Sequence, residues 1–387
     1  MKKLIVALSF GVVAGGLFAA EAVSDVLVRQ RWPWSRLIDV SYAVTGVPDG
    51  EVREVGLQAT LADEPVKVPA SAVGGSWQCL SDGYQTLTVD PEKVPDLRGR
   101  DLSTGLRISL DLHVPAPYVI VDLSKSAGDE GQIEYVMEAD LHAGRYGSVE
   151  TNKFGLTGLA WTAVTNNADY KSTKMVFRRI PRGTVLGRGG NSIVVDTDFY
   201  MAVFETTYKQ VRTAGYTSFT PGFHVDNAPA VNGYDLNHLI GENEDYPDDC
   251  CIMKFRQKTG LAIDLPTCAQ WEYACRAGSS GTTYYDNNPS ATADDCVKYA
   301  WCASNSSSAS GPMEVGLLAC NAWGLYDTLG NACEWCTDKN GTTRYRPGGA
   351  YYLDVSASVC SGRKTGVKSD GDGFKMNGFR LMFRIEL

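Results

Sequence analysis

NAWGLYDTLGNACEWC, residues 321–336, is the stretch on which the reading of this chain turns. Gly324 and Gly330 give it the backbone freedom that tight turns require. Asn331 and Glu334 set a side-chain amide and a carboxylate within one turn of each other. Oxygen donors of this kind, joined by turn carbonyls, are what a hard cation such as Ca²⁺ takes as ligands. The stretch therefore predicts a structural calcium at Gly330, Asn331 and Glu334. A turn fixed only by hydrogen bonds from Asn331 has the same sequence. Cys333-x-x-Cys336 has the spacing of a zinc knuckle, but no second pair follows at the interval such a site needs, and the intervening Trp335 favours packing.

Outward from this turn lie five more short motifs: MVFRRIPRGTVLG (175–187), DFYMAVFETTYKQ (198–210), LPTCAQWEYACRAG (265–278), RPGGAYY (346–352) and NGFRLMF (377–383). The third predicts a helix. Thr267 and Gln270 form a T-x-x-Q capping box, Trp271, Ala274 and Cys275 recur at helical spacing, and Gly278 stops the run. An earlier helix is predicted from Asp245 to Lys258, stopped by Gly260. The six motifs, in this order, resemble those of the formylglycine-generating (sulfatase-modifying factor) enzyme family over about residues 171–387. The resemblance implies an α+β, C-type-lectin-like domain of low regular secondary structure. It also implies a calcium at the matching turn, as family members hold one there.

Catalytic members of that family use two cysteines five residues apart to bind copper, activate oxygen and convert a sulfatase cysteine to formylglycine. The resemblance places Cys360, in Cys360-Ser361-Gly362-Arg363, at the second position and Val355 at the first. Cu(I) is a soft ion that asks for a thiolate pair, so copper is not expected here. Cys360 then reads as a buried residue or half of a disulfide, and as the catalytic candidate only if the chain is an oxidase. Eleven cysteines are present, Cys79 alone and ten between Cys250 and Cys360. An odd count leaves at least one thiol without a partner in the chain. His113, His142, His224 and His238 are dispersed and form no H-x-x-x-H or H-x-E pattern. The helical domain carrying the histidine iron site of related sulfoxide synthases has no counterpart.

The segment 346–380 offers Tyr351, Tyr352, Asp354, Ser356, Ser358, Arg363, Phe374 and Lys375 as ligand-binding candidates. Tyrosine among small polar residues makes adaptable contact surfaces, because it adds area at low entropy cost. The segment is similar to the variable region of the retroelement-diversified proteins that share this fold and that end it near an N-G-F-R motif. An ordinary solvated loop has the same composition.

The N-terminal half reads differently. Ile38, Val40, Tyr42 and Val44 alternate with more polar residues, as do Leu106, Ile108, Leu110, Leu112 and Val114. Period-two alternation sets one face in a core and the other in water, which predicts a small all-β sandwich over 23–125. The Trp32-Pro33-Trp34 cluster reads most simply as core packing, with a platform for stacking sugars as the alternative. Residues 126–170 read as a linker or irregular extension before the domain at 171–387. Residues 1–22 read as a signal peptide, with Lys2 and Lys3 ahead of an apolar run too short to span a bilayer. A formal charge of −9 excludes the cationic surface that nucleic acid requires. The sequence thus reads as an exported, noncatalytic protein that binds an extracytoplasmic protein or glycan through 346–380, without membrane insertion. The alternative is a copper-dependent oxidase of the sulfatase-maturation type acting on a protein cysteine.

Overall fold

In the computed structural model the alternating segments become strands, and the chain divides into two units at Pro115/Ala116. The structure describes all residues except 1–20, 50, 67, 69–71, 76, 138–148, 152–156, 162–166, 188–189, 219–224, 232–235, 286–292, 307–310, 341–342, 362–363, 368–375 and 385–387. The expected signal peptide, Arg363, Phe374 and Lys375 therefore fall outside the described residues or nearly so, only Glu21 and Ala22 of the leader being placed. Among the described residues, no helix is long and apolar enough to cross a membrane.

The first unit is all-β. One antiparallel sheet orders Ala22–Gln30, Ile38–Thr45, Gly83–Val89 and Val73–Gly74. A second is built on Arg53–Leu61, paired along its length with Leu106–His113 and on its other edge with Glu64–Val66 and Gln78–Cys79. Val40, Tyr42, Leu87, Val55 and Ile108, drawn from both sheets, meet in one apolar core. Arg107, Ser109 and Asp111 face water between buried or half-buried neighbours. Trp32 and Trp34 correct the sequence reading: they are 68% and 93% exposed rather than in the core. They stand in a turn after the first strand, where alternation no longer dictates a side.

The second unit is α+β. Its six-stranded antiparallel sheet runs in the order Ile133–Val136, Tyr118–Asp122, Lys174–Ile180, Phe199–Ala202, Met382–Arg384, Ile263–Asp264. Two of these strands precede the domain boundary read from sequence, at residues given to the sandwich and the linker. Tyr118, Val119, Ile120 and Val121 are all buried and paired on both edges. A central strand reads as a continuous apolar run, unlike the alternating strands of the first unit. The motif 175–187, which resembles the family's opening hairpin, does not pair with itself. Lys174–Ile180 joins the large sheet, whereas Gly183–Leu186 pairs with Ser192–Val195.

Four short helices, Tyr208–Thr213, Leu236–Ile240, Cys251–Thr259 and Cys268–Arg276, complete the described elements that matter here. The helix expected from Asp245 begins only at Cys251, because Glu244 and Tyr246 hold left-handed backbone and Pro247 follows. It ends, as read, at Gly260 in the left-handed conformation. In the next helix the Thr267–Gln270 capping box is complete, and the chain leaves through left-handed Ala277 and Gly278.

Candidate functional site

The central turn is held by a buried polar lock. Glu334 and Arg380 are fully buried, and the guanidinium meets the carboxylate through Nη2 at 2.7 Å and Nε at 3.1 Å. Arg380 spends its remaining donors on the carbonyls of Ala202, Val203 and Tyr326 at 2.8–3.1 Å. All five of its N–H groups thus have acceptors, the condition under which a buried guanidinium is tolerated. Trp271, on the capped helix, donates its indole N–H to the other Glu334 oxygen at 2.5 Å. One carboxylate therefore joins the helix, the turn and the segment leading into the last strand.

A second layer supports the first. Asn331 sits in the left-handed region at φ 55° and donates to Glu205 Oε2 at 2.7 Å, while Ala332 N donates to Glu205 Oε1 at 2.9 Å. The Asn331 amide oxygen accepts from Met313 N at 2.9 Å. At Gly330 a Cβ would lie 2.2 Å from the Trp301 carbonyl, so only glycine fits against that backbone. Asp327 accepts from Gly316 N at 2.6 Å. Burial pushes the Asp327 carboxyl up to about 6. Burial, with the negative charges of Asp327 and Glu334 added, pushes Glu205 up as well. Three carboxylates around one guanidinium cannot all stay charged at ordinary cost.

This geometry bears on the expected calcium. Both Glu334 oxygens are taken by N–H donors, the Asn331 oxygen by a backbone N–H, and a divalent ion there would face Arg380. Gly330, Asn331 and Glu334 do not fit as a calcium ligand set. Among the described residues no group of three or more His, Cys, Asp or Glu is arranged to hold a metal.

Folding brings thiols together that the sequence keeps apart. Cys275 Sγ lies 3.5 Å from Cys360 Sγ, both fully buried. Cys275 stands on the capped helix, and Cys360 is held where its backbone N–H donates to Thr282 O at 2.9 Å. Burial pushes the Cys275 thiol well up. Cys336 lies in the same buried cluster as Cys268, Cys275 and Cys360. Val355 sits in a short 3-10 turn, half-buried.

Around that turn the candidate contact residues part company. Tyr352 is half-buried, and Asp354 and Ser356 are exposed. Asp354 caps the turn by accepting from Ser356 N at 2.9 Å, and hydrogen bonds from the Ser356 hydroxyl and then its backbone N–H hold the Asp354 carboxyl below the usual range. Tyr351 and Ser358 are buried, a correction to their reading as contact residues. Tyr351 N donates to Asn331 O at 2.9 Å, and Ser358 packs so closely beneath Gly349 that a Cβ there would meet its hydroxyl at 2.6 Å. Composition marks a segment as adaptable but not which way each residue of a turn faces.

Sequence reasoning missed Glu205, Trp271, Asp327, Arg380 and Cys275 as parts of one centre. A signal was present: Glu205 and Arg380 are single charges inside the apolar runs FYMAVFETT and GFRLMF. Such charges are seldom buried unless paired.

The family model described as "Sulfatase-modifying factor enzyme 1-like domain" matches residues 168–385. PvdO from Pseudomonas aeruginosa is a similar solved structure, 18% identical, covering 54% of this chain and 94% of its own, with a TM-score of 0.44. Treponema denticola variable protein 1 is 20% identical over 55% of this chain and 95% of its own, with a TM-score of 0.39. CarF is 19% identical over 53% and 97%, also with a TM-score of 0.39. No curated protein matches the chain.

Proposed function

This chain belongs to the sulfatase-modifying factor enzyme 1-like family, and on that premise we propose that it is an exported, noncatalytic binding protein. Its second unit has the family's C-type-lectin-like α+β fold, and an all-β unit precedes it. The proposed contact surface is the turn of Tyr352, Asp354 and Ser356 with the neighbouring part of 346–380, and its ligand is an extracytoplasmic protein or glycan. One observation carries the reading: on this turn the side chains that reach water suit recognition, while the sulfur that would do chemistry is fully buried. Every cysteine of the chain is buried. Oxidation of a substrate cysteine needs a thiolate the substrate can approach.

The second reading, a copper-dependent oxidase acting on a protein cysteine, has one observation in its favour. Cys275 gives Cys360 the neighbouring sulfur that Val355 does not. Two thiolates fit a soft monovalent ion, and copper bound there would supply oxygen activation. Among the described residues, Tyr284 and Trp271 pack into the same cluster around the pair.

Two assays separate the readings. Oxygen uptake is measured with copper and a sulfatase-type cysteine peptide; no turnover is expected, and turnover lost in Cys360→Ser overturns the proposal. Binding is measured on a glycan array and by cross-linking to isolated cell-envelope proteins. A captured ligand is expected to lose at least tenfold in affinity with Tyr352→Ala plus Asp354→Ala (about 1.4 kcal/mol or more). Retention of full affinity moves the contact surface elsewhere.

A further inference from the structure

We infer that the first unit has a binding site of its own, a cleft that takes an acidic polysaccharide built of uronic acids, with Trp32 and Trp34 as stacking plates and Arg29 and Arg100 as carboxylate partners. The cleft holds about 1410 Å³ and is lined wholly by residues of the first unit, between the end of the strand Ala22–Gln30 and the loop before Leu106–His113. Clefts for small ligands run to about 300–1,000 Å³, so this one suits several linked rings rather than one. The turn that carries the two indoles is already fixed. Arg31 N donates to Leu37 O at 2.8 Å, Trp34 N to Arg31 O at 3.1 Å and Leu37 N to Ser35 Oγ at 3.1 Å. A turn ordered before the ligand arrives loses little freedom on binding.

The side chains of the wall select the occupant. Val28, Ile38, Leu102 and Leu106 line the cleft but are buried, so the large apolar surface offered to a ligand is that of the exposed indoles. They stand out as plates and do not recede into pockets, which the anchoring side chains of a protein partner would need. A plate suits a pyranose ring, whose C–H face is apolar while its rim carries hydroxyls, and an indole can meet such a face and still touch water. Charge then narrows the sugar. Arg31 is held by Asp39, which accepts from its Nε and Nη2 at 2.7–3.1 Å, and Arg36 by Glu92 at 2.7 Å. That leaves the exposed Arg29 and Arg100 against the one carboxylate of Asp101, a positive excess in a chain of net charge −9. A guanidinium fork matches a carboxylate in shape as well as charge. Asp101 sets a negative charge in the same wall, where the closely spaced phosphates of a nucleic acid would meet it.

The full chain is titrated calorimetrically with hexamers of galacturonate, mannuronate and glucuronate, and with cellohexaose and a single-stranded oligodeoxynucleotide as the uncharged and phosphate-bearing counterparts. At least one uronate hexamer is expected to bind, about tenfold or more tighter than either counterpart, and to weaken as salt is raised from about 0.01 to about 0.15 M. Trp34→Ala and Arg100→Ala are each expected to lose about tenfold or more in affinity, as anchoring Trp and Arg contacts do, with thermal unfolding close to wild type. Tyr84→Ala, at an exposed aromatic of the same unit outside the cleft, is expected to bind as wild type does. Three results overturn the inference: no binding of any uronate hexamer, equal or tighter binding of cellohexaose or of the oligonucleotide, or affinity that survives both cleft substitutions. The inference rests on first-unit residues alone, so its failure leaves untouched the surface at 346–380, which is tested through Tyr352 and Asp354.

Discussion

The two units of this chain reach a folded state by different means. The first is a sandwich whose strands repeat a simple rule, one side chain inward and the next outward, so that Val40, Leu87, Val55 and Ile108 meet while Arg107 and Asp111 stay wet. Its stability is spread over many apolar contacts, none of them unique. The second unit has short elements and many loops, and converges on one carboxylate, Glu334, which joins Trp271 on a helix to Arg380 just before the last strand. A distributed core degrades gradually under substitution. A polar centre with every donor assigned fails when one partner is removed.

The sharpest way to test this contrast is to break the centre. Glu334→Gln leaves the Arg380 guanidinium buried without its bidentate acceptor, at an expected cost of about 3–5 kcal/mol. Hydrogen exchange of the full chain should show the Met382–Arg384 and Phe199–Ala202 strands losing protection while Ile38–Thr45 keeps its own. Equal loss in both units would contradict separate means of support.

The next effect is smaller and has a sign. Asp327, pushed up to about 6 by burial, holds a proton in the folded chain over a pH window, about 4 to about 6, in which the unfolded chain has lost it. Its contribution to stability is therefore full below that window and falls as pH rises through it, by about 2–3 kcal/mol. Asp327→Asn removes the titration. Urea unfolding should find the variant gaining on wild type by that amount from pH 4 to pH 7. A difference that does not vary with pH would show that Asp327 keeps an ordinary carboxyl.

How much of this was legible in the sequence follows from the same contrast. The alternating strands and the capped helix from Thr267 could be read, because each is fixed by neighbours close in sequence. The strand Tyr118–Asp122 could not be assigned to the second unit, since its pairing partners begin at Lys174 on one side and Ile133 on the other. Asn331 and Glu334 stood out as polar groups in a turn, yet their partners Glu205 and Arg380 lie 126 and 46 residues away. A spacing within one turn suggested ligands for an ion, when the turn was completed by a distant guanidinium. The proximity of Cys275 to Cys360 was beyond any local pattern for the same reason.

The smallest expected effect examines the first unit where its rule stops applying. Trp34, 93% exposed in the turn after the first strand, has an indole with almost no protein surface against it. Trp34→Ala should change stability by no more than about 0.5 kcal/mol, the range of ordinary surface substitutions. Val40→Ala, at a fully buried position one strand away, removes two methyl carbons from the core and should cost about 2 kcal/mol. The larger side chain thus matters less than the smaller one, because area removed from water, and not side-chain size, sets the contribution. Thermal unfolding of the two variants decides it: if Trp34→Ala proves the more destabilising, the indole is packed in solution and the turn belongs to a core after all.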